Sequence, residues 1–153
     1  MEGRARAQAR GKPSLVISVP SENSFLGIVR DVAKRMAEIA GFDEATAGKV
    51  ALAVDEAAAN VIEHAYRGRP DREVEVRIED RGPDLEVEVV DHGARFDPNA
   101  LPHFELERYV NERRKGGLGI HLMGKIMDSV TFRRSAHKNI CSLVKHKVSE
   151  PGS

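Results

Sequence analysis

The sequence has 153 residues and a mass of 16.9 kDa, which is the size of one domain. Its 24 Lys and Arg balance 24 Asp and Glu, whereas direct nucleic-acid or membrane-surface binders carry a basic excess. No apolar run approaches the roughly 18 residues of a membrane-spanning helix. The single cysteine, Cys141, excludes an internal disulfide. We therefore expect a one-domain cytoplasmic protein with neither nucleic acid nor membrane as a direct partner.

The charge pattern separates a domain from two ends. Residues 1–13 carry four basic residues against one acid and almost nothing apolar, which predicts a flexible basic leader; an arm that contacts nucleic acid is the alternative. Residues 149–153 are expected to be a tail. Residues 14–148 are then the predicted domain.

The first half of this domain predicts one strand and two helices. Residues 15–19 alternate between apolar and polar types, as a half-buried strand does. Apolar residues then recur at helical spacing between a capping residue, Ser21, and a terminating Gly41. Asp43 is a suitable cap for a second helix, which is expected to run to about Tyr66.

The second half predicts two hairpins with a helix between them. Residues 74–78 and 85–89 alternate apolar with charged side chains and are separated by a short turn, which predicts an antiparallel hairpin. A third helix is expected to begin near Leu118. Residues 130–134 and 140–147 predict the last two strands.

The order β-α-α-β-β-α-β-β contains few βαβ units. It predicts an α/β (α+β) two-layer sandwich, in which three helices cover one face of a mostly antiparallel mixed sheet. Residues 94–116 contain prolines at the start, charges at the end and no strand pattern. A segment of that length inside a compact domain is typical of a functional lid or a disordered loop, and we interpret it as a lid.

One face of the second helix carries a carboxylate and an amide. Glu56 and Asn60 are four residues apart, so they lie one turn apart on the same side. Ala53 and Ala57 border them and leave room for a bulky ligand. A solvated polar face is the alternative, although such a face usually carries more Lys and Glu.

A second candidate segment follows a valine-rich strand. The strand ends at Asp91, which would place a carboxylate at the mouth of a pocket. Gly93 would let the backbone approach a flat ligand closely. An ordinary turn acid is the alternative.

A third candidate segment is rich in glycine. Gly116, Gly117 and Gly119 lie where a loop becomes a helix, and the free N–H groups and positive dipole end of such a helix start suit phosphate oxygens. Lys115 would add positive charge. A flexible hinge is the alternative. The run from Gly119 to Lys125 is not a phosphate-binding Walker loop, because Ile126 follows where Ser or Thr would hold magnesium.

Together, on a helix, a strand end and a helix start, these motifs resemble the GHKL ATPase superfamily with its Bergerat nucleotide-binding fold. The closer resemblance is to RsbW-like anti-sigma-factor serine/threonine kinases, and it covers nearly all of residues 14–148. The motifs that carry it are Asp55-Glu56-Ala-x-x-Asn60-x-x-x-His64-Ala65-Tyr66, Asp91-x-Gly93-x-x-Phe96-Asp97-Pro98 and Gly116-Gly117-Leu118-Gly119.

The resemblance implies a role for each candidate residue. Asn60 would bind Mg²⁺ at the phosphates, and Glu56 would be the general base. Asp91 would hydrogen-bond the adenine amino group of ATP or ADP, with Gly93 beside the base. The lid, residues 94–116, would close over the nucleotide. The remaining nucleotide-binding residues would be Lys115, Gly116, Gly117, Leu118 and Gly119.

Two positions depart from the family pattern. Arg95 stands where the superfamily often has a second glycine. The run His137-Lys138-Asn139-Ile140 replaces a Gly-Thr turn that commonly precedes the last strand and contacts the adenine side.

The resemblance further implies a kinase in a partner-switching circuit, which would hold a sigma factor inactive and phosphorylate a STAS-type anti-sigma-factor antagonist. It also implies a homodimer. The alternative is a nucleotide-gated partner-binding module without phosphotransfer, which could have lost Glu56. A detached histidine-kinase catalytic domain fits less well, because the ending His64-Ala65-Tyr66 is more like the anti-sigma branch.

Overall fold

The computed structural model describes residues 14–93 and 120–148. Its elements, in chain order, are β1 (Ser14–Pro20), a 3₁₀ helix (Asn23–Phe25), α1 (Leu26–Ile39), α2 (Glu44–Asn60), a π-helical turn (Val61–Ala65), β2 (Glu73–Asp80), β3 (Asp84–Asp91), α3 (Ile120–Ile126), β4 (Ser129–Ser135) and β5 (Lys138–His146). The predicted order of strands and helices is confirmed. The predicted leader, lid and tail lie outside the described residues.

The five described strands form one sheet in the order β1-β2-β3-β5-β4, and every neighbouring pair is antiparallel. Strand β3 pairs with β5 along its whole length, and the register places Asp91 opposite Asn139. The predicted two-layer sandwich is confirmed, with all the pairings antiparallel. The end of β3 that carries Asp91 therefore lies beside the start of β5.

The hydrophobic core lies between the sheet and the helices. Strand β2 alternates buried with exposed or partly exposed residues, as expected when one face of a sheet is covered. Strand β3 does the same as far as Val89, after which Val90 and Asp91 are also buried. Helix α2 packs against α1 and α3 and supplies buried small and branched side chains. The fully buried apolar side chains include Val29, Val50, Val54, Val76, Ile78, Leu85, Val87, Val89 and Leu143. This packing fixes α2 relative to the strand that ends at Asp91.

The two predicted helix caps have different outcomes. Asp43 caps α2, because its Oδ1 accepts a hydrogen bond from the Thr46 N–H at 2.7 Å. Ser21 caps no helix; its hydroxyl donates to the carbonyl of Arg69 at 2.5 Å and accepts from the Arg72 N–H at 3.0 Å. Ser21 is 1% exposed, so it ties the end of β1 to the loop before β2.

The sheet face away from the helices carries Arg–Glu pairs. Arg133 Nη2 lies 3.0 Å from Glu88 Oε2, and Arg77 Nη1 lies 3.7 Å from Glu88 Oε1. Arg81 pairs with Glu86, which also accepts from the Ser142 hydroxyl at 2.8 Å. Complementary charges therefore cross from strand to strand on this face.

Candidate functional site

Helix α2 buries the predicted carboxylate and amide. Glu56 is 3% exposed and Asn60 is 6% exposed, and the neighbouring Ala53 and Ala57 are also buried. Burying such groups costs free energy unless hydrogen bonds compensate, so the alternative of a solvated polar face is wrong. Because the alanine side chains are small, another element or a ligand can approach this face of the helix closely.

The end of this helix is not a continuous α-helix. The α-helical part ends at Asn60 and is followed by the π-helical turn Val61–Ala65. The sequence prediction of a helix to about Tyr66 is confirmed in extent but not in kind, because apolar spacing does not distinguish one wide turn. Single π turns of this sort are frequent at functional sites.

Tyr66 joins this helix end to two strand segments. Its hydroxyl donates to the Glu73 carbonyl at 2.7 Å and accepts from the His92 N–H at 3.0 Å. Tyr66 is 5% exposed, and burial raises the pKa of its phenol. A neutral hydroxyl that both donates and accepts therefore positions the turn that follows Asp91.

Asp91 ends β3 as a buried acid, with an exposure of 3%. Its Oδ1 accepts hydrogen bonds from the Gly93 N–H and from Asn139 Nδ2, both at 2.8 Å. Burial is the largest influence on this carboxyl and raises its pKa, although both hydrogen bonds act in the opposite direction. The Oδ2 atom accepts no hydrogen bond from residues 14–93 or 120–148, so it can serve as the acceptor for a ligand.

Gly93 is packed against the π turn. A Cβ added at Gly93 would lie 2.5 Å from the carbonyl oxygen of Ala65 and 2.9 Å from its Cβ. No L side chain fits there, because real Cβ atoms do not make such contacts. The need for glycine therefore has a cause within the protein: the backbone after Asp91 meets the end of the helix that carries Asn60.

Asn139 is the site residue that the sequence did not identify. It is 8% exposed and donates to Asp91 from the opposite position in the β3–β5 ladder. Its own Oδ1 accepts a hydrogen bond from Arg134 Nη1 at 2.9 Å. The sequence marks this position only as part of the run that replaces the Gly-Thr turn of the family pattern. The register of β3 and β5 is needed to show that Asn139 lies opposite Asp91.

These residues line one pocket between α2 and the sheet. It encloses about 390 Å³ of empty space, including its open mouth. The lining residues are Ala57, Asn60, Val61, Ala65, Asp91, Phe132, Arg133, Asn139, Ile140 and Cys141. The walls are mainly apolar, and the polar lining residues are Asp91, Asn60, Asn139 and Arg133. A mainly apolar pocket with a few polar groups is the composition expected for a site that binds a small organic ligand.

Comparison with known families decides the relationship. The family model described as the histidine kinase-like ATPase domain matches residues 19–145. The serine-protein kinase RsbW of Bacillus velezensis (strain DSM 23117 / BGSC 10A6 / LMG 26770 / FZB42) is 35% identical over 127 residues, 78% of this chain and 78% of the relative. The chain belongs to the histidine kinase-like ATPase family and, within it, to the RsbW serine-protein kinases.

Further relatives agree with this assignment. The serine-protein kinase RsbW of Bacillus subtilis (strain 168) is 33% identical over 121 residues, 74% of each chain. A crystal structure of the RsbU and RsbW domains of Rv1364c from Mycobacterium tuberculosis superimposes with a TM-score of 0.62 at 15% sequence identity. The match covers 88% of this chain and 32% of that longer chain, so it supports the fold of a histidine kinase-like ATPase domain.

The structure therefore brings together Glu56 and Asn60 on one helix, and Asn60, Asp91 and Asn139 around one pocket. The predicted phosphate-side residues of this ATPase domain, Lys115 and the run from Gly116 to Gly119 with Leu118, lie outside the described residues. Within residues 14–93 and 120–148, no group of three or more His, Cys, Asp or Glu side chains forms a metal cluster. The helices described there also include none with the length and hydrophobicity of a membrane span.

Proposed function

We propose that this chain is an ATP-dependent serine/threonine protein kinase that acts in a partner-switching circuit. The observation that carries the proposal is the buried Asp91, which lines the pocket beside Asn60 and has one carboxylate oxygen that accepts no hydrogen bond from the described residues. The printed names of the relatives, serine-protein kinases, supply the reaction class.

Asp91 and the apolar walls fit an adenine ring. An exocyclic amino group donates hydrogen bonds, and Asp91 Oδ2 is an acceptor with no donor among the described residues. Asn139 and the Gly93 N–H hold Oδ1, so the carboxylate is oriented before a ligand arrives. The nucleotide-binding role of Asp91 and Gly93 rests on this arrangement.

Asn60 is the described residue that fits a magnesium ion next to phosphates. An amide oxygen is a suitable hard ligand, and Mg²⁺ usually takes one or two protein ligands and completes its shell with water and phosphate oxygens. Bound Mg²⁺ would neutralise charge on the phosphates of ATP.

Glu56 is the proposed general base. It lies one turn before Asn60 on the same helix and is buried, so it would stand beside the phosphates and accept the proton of the attacking serine or threonine hydroxyl. Positioning and charge neutralisation supply most of the catalysis in phosphoryl transfer. The proposed contacts to the phosphates come from Lys115, Gly116, Gly117, Leu118 and Gly119.

The proposed substrate is a STAS-type anti-sigma-factor antagonist, and the second partner is a sigma factor that the kinase holds inactive. We further propose that the kinase is a cytoplasmic homodimer. The alternative, a nucleotide-gated binding module without phosphotransfer, is less favoured because Glu56 is present and is buried on the helix that carries Asn60.

The test separates binding from transfer. Glu56→Gln should lower the rate of phosphate transfer from labelled ATP to the antagonist by about 10²–10⁴-fold, because a general base contributes that much, while ADP binding remains. Glu44→Gln is the matched control, since Glu44 is an exposed acid at the other end of α2. Full transfer by the Glu56 variant would contradict the assigned base.

Nucleotide binding is tested separately by calorimetry with Mg-ADP. Asp91→Ala should weaken binding by roughly 10- to 100-fold, the value of a hydrogen bond to a charged group. Asn60→Ala should weaken Mg-ADP binding but leave metal-free ADP binding nearly unchanged. Equal affinities in the wild type and both variants would remove the site assignment.

A further inference from the structure

A cleft rich in arginine adjoins the contact between Ala65 and Gly93. The loop between the π turn and β2 carries Arg67, Arg69 and Arg72, and His92 faces them from the turn after β3. The cleft encloses about 600 Å³ of space, including its open mouth. All four side chains belong to exposed residues. The phosphotransfer proposal uses none of them.

The backbone of this loop is firmly held. The Gly68 N–H donates to the Ile62 carbonyl at 2.7 Å, and the Arg69 N–H donates to the Tyr66 carbonyl at 3.0 Å. Buried Ser21 fastens the rest of the loop, because it bonds backbone atoms of both Arg69 and Arg72. The loop therefore presents its arginine side chains from a fixed frame, which lowers the entropic cost of binding.

Arg67 occupies a backbone conformation that favours glycine. Its φ angle is 53°, in the left-handed region where an L side chain is strained. Its guanidinium makes no ion pair or hydrogen bond with residues 14–93 or 120–148. Because Arg67 is exposed and has no partner among the described residues, its guanidinium donors are available to a ligand at the cleft.

The cleft carries a local positive charge although the whole chain is neutral. Asp71 is the carboxylate that pairs with the loop arginines, at 3.4 Å from Arg69 Nη2 and 3.9 Å from Arg72 Nε. Two of the three guanidinium groups thus share one carboxylate, and that of Arg67 has no ion pair among the described residues. The planar guanidinium donates paired hydrogen bonds that match carboxylate geometry.

We propose that this arginine cleft docks an acidic segment of a protein partner. The proposal deepens the proposed kinase function by giving the enzyme a second contact with a polypeptide, outside the nucleotide pocket. The charge of the cleft, its open shape and its fixed backbone select an extended stretch that carries several Asp or Glu side chains.

The test uses a fluorescein-labelled octaglutamate peptide and the full chain, with binding followed by fluorescence anisotropy in low salt. The triple variant Arg67→Gln, Arg69→Gln, Arg72→Gln should weaken binding by about tenfold or more, since exposed charge pairs are each worth a few tenths to about 1 kcal/mol. The control triple Arg35→Gln, Lys49→Gln, Lys125→Gln removes the same formal charge from exposed positions elsewhere. It should change binding less than about threefold, and equal losses in both triples would overturn the proposal, because attraction would then be general.

Arg67→Gly separates binding from folding. Glycine relieves the left-handed strain, so the variant should melt at the same temperature as the wild type or higher, yet bind octaglutamate more weakly. Unchanged peptide binding by this stable variant would overturn the role of Arg67.

Binding of Mg-ADP distinguishes docking from the nucleotide site. The arginine triple should bind Mg-ADP like the wild type, and ADP should not displace octaglutamate. Loss of ADP binding in the triple, or competition between the two ligands, would assign the arginines to the nucleotide phosphates and overturn docking. If instead ADP binding fails in the wild type while the peptide result holds, the proposed kinase site fails and the docking cleft stands.

Discussion

Polar and charged side chains are buried at the pocket but exposed on the outer face of the sheet. At the pocket, the exposed fractions of Asn60, Asp91 and Asn139 range from 3% to 8%, and Glu56, one turn before Asn60, is 3% exposed. On the outer face, acids meet arginines, as in the pair of Glu88 with Arg133, whose side chain is 54% exposed. Exposed pairs contribute little to stability because water competes for them, whereas buried polar groups cost much if a partner is lost. Sensitivity to mutation should therefore concentrate at the pocket.

The largest effect is expected for Gly93→Ala. The added Cβ would collide with the Ala65 backbone, and we expect a loss of about 3 kcal/mol in the free energy of unfolding, measured by urea denaturation. Gly48→Ala is the matched control, since Gly48 lies within α2 with nothing within 4 Å of the new methyl. It should gain about 0.5–1 kcal/mol. Equal effects at the two glycines would refute the close packing of Gly93.

A smaller loss is expected for Asn139→Ala. The variant removes a donor to Asp91 and leaves the buried carboxylate with the Gly93 N–H as its described partner, which should cost about 1.5–2 kcal/mol in urea denaturation. Asn23→Ala, at an exposed position in the 3₁₀ helix, should cost much less. If Asn139→Ala left the free energy of unfolding unchanged, the pocket would tolerate the loss of a hydrogen-bond partner as well as the outer face does.

The pH dependence of Asp91 sharpens the same contrast. Burial raises the pKa of this carboxyl above its ordinary 3.8, so the folded state binds the proton more tightly than the unfolded state. Stability should then fall as pH rises from about 4 through the raised pKa, relative to Asp91→Asn, which does not titrate. Urea denaturation of both proteins between pH 4 and pH 7 measures this difference. An increase in the stability of the wild type relative to Asp91→Asn as the pH rises would contradict the prediction.

The smallest effect is expected on the outer face. Arg133→Gln breaks an exposed pair with Glu88 and should change the free energy of unfolding by no more than about 0.5 kcal/mol. Arg77 also contacts Glu88 and retains part of the interaction. A loss above about 1 kcal/mol in urea denaturation would contradict the expectation that the outer face is less sensitive to mutation than the pocket.

The sequence predicts most of the fold because alternation and helical spacing are local signals. It predicts strands at 74–78 and 85–89, and the structure extends them to Glu73–Asp80 and Asp84–Asp91. The cap at Asp43 is correct, since it needs only the next three residues. The cap at Ser21 is wrong, because its hydroxyl bonds a loop 48 and 51 residues away. Long-range hydrogen bonds of this kind leave no periodic pattern.

The site was predictable in part for the same reason. Glu56 and Asn60 share a helix face by their spacing alone, and Asp91 ends a recognisable strand. Asn139 joins them only through the β3–β5 register, and Gly93 meets Ala65 only through packing. The assigned roles of these residues toward ATP and Mg²⁺, and of Lys115 to Gly119, remain predictions.

The π-helical turn at Val61–Ala65 has a consequence for changes in chain length. A π turn accommodates an additional residue relative to an α turn, so a one-residue deletion there would let regular α-helix continue toward Tyr66. The deletion would keep Tyr66 on nearly the same side of the helix axis, because four α-helical residues turn the chain about as far as five π-helical ones. A one-residue insertion would instead rotate Tyr66 by about 100° around the axis and take its hydroxyl away from the Glu73 carbonyl and the His92 N–H. This turn should therefore tolerate shortening by one residue, whereas lengthening should be confined to the neighbouring loops.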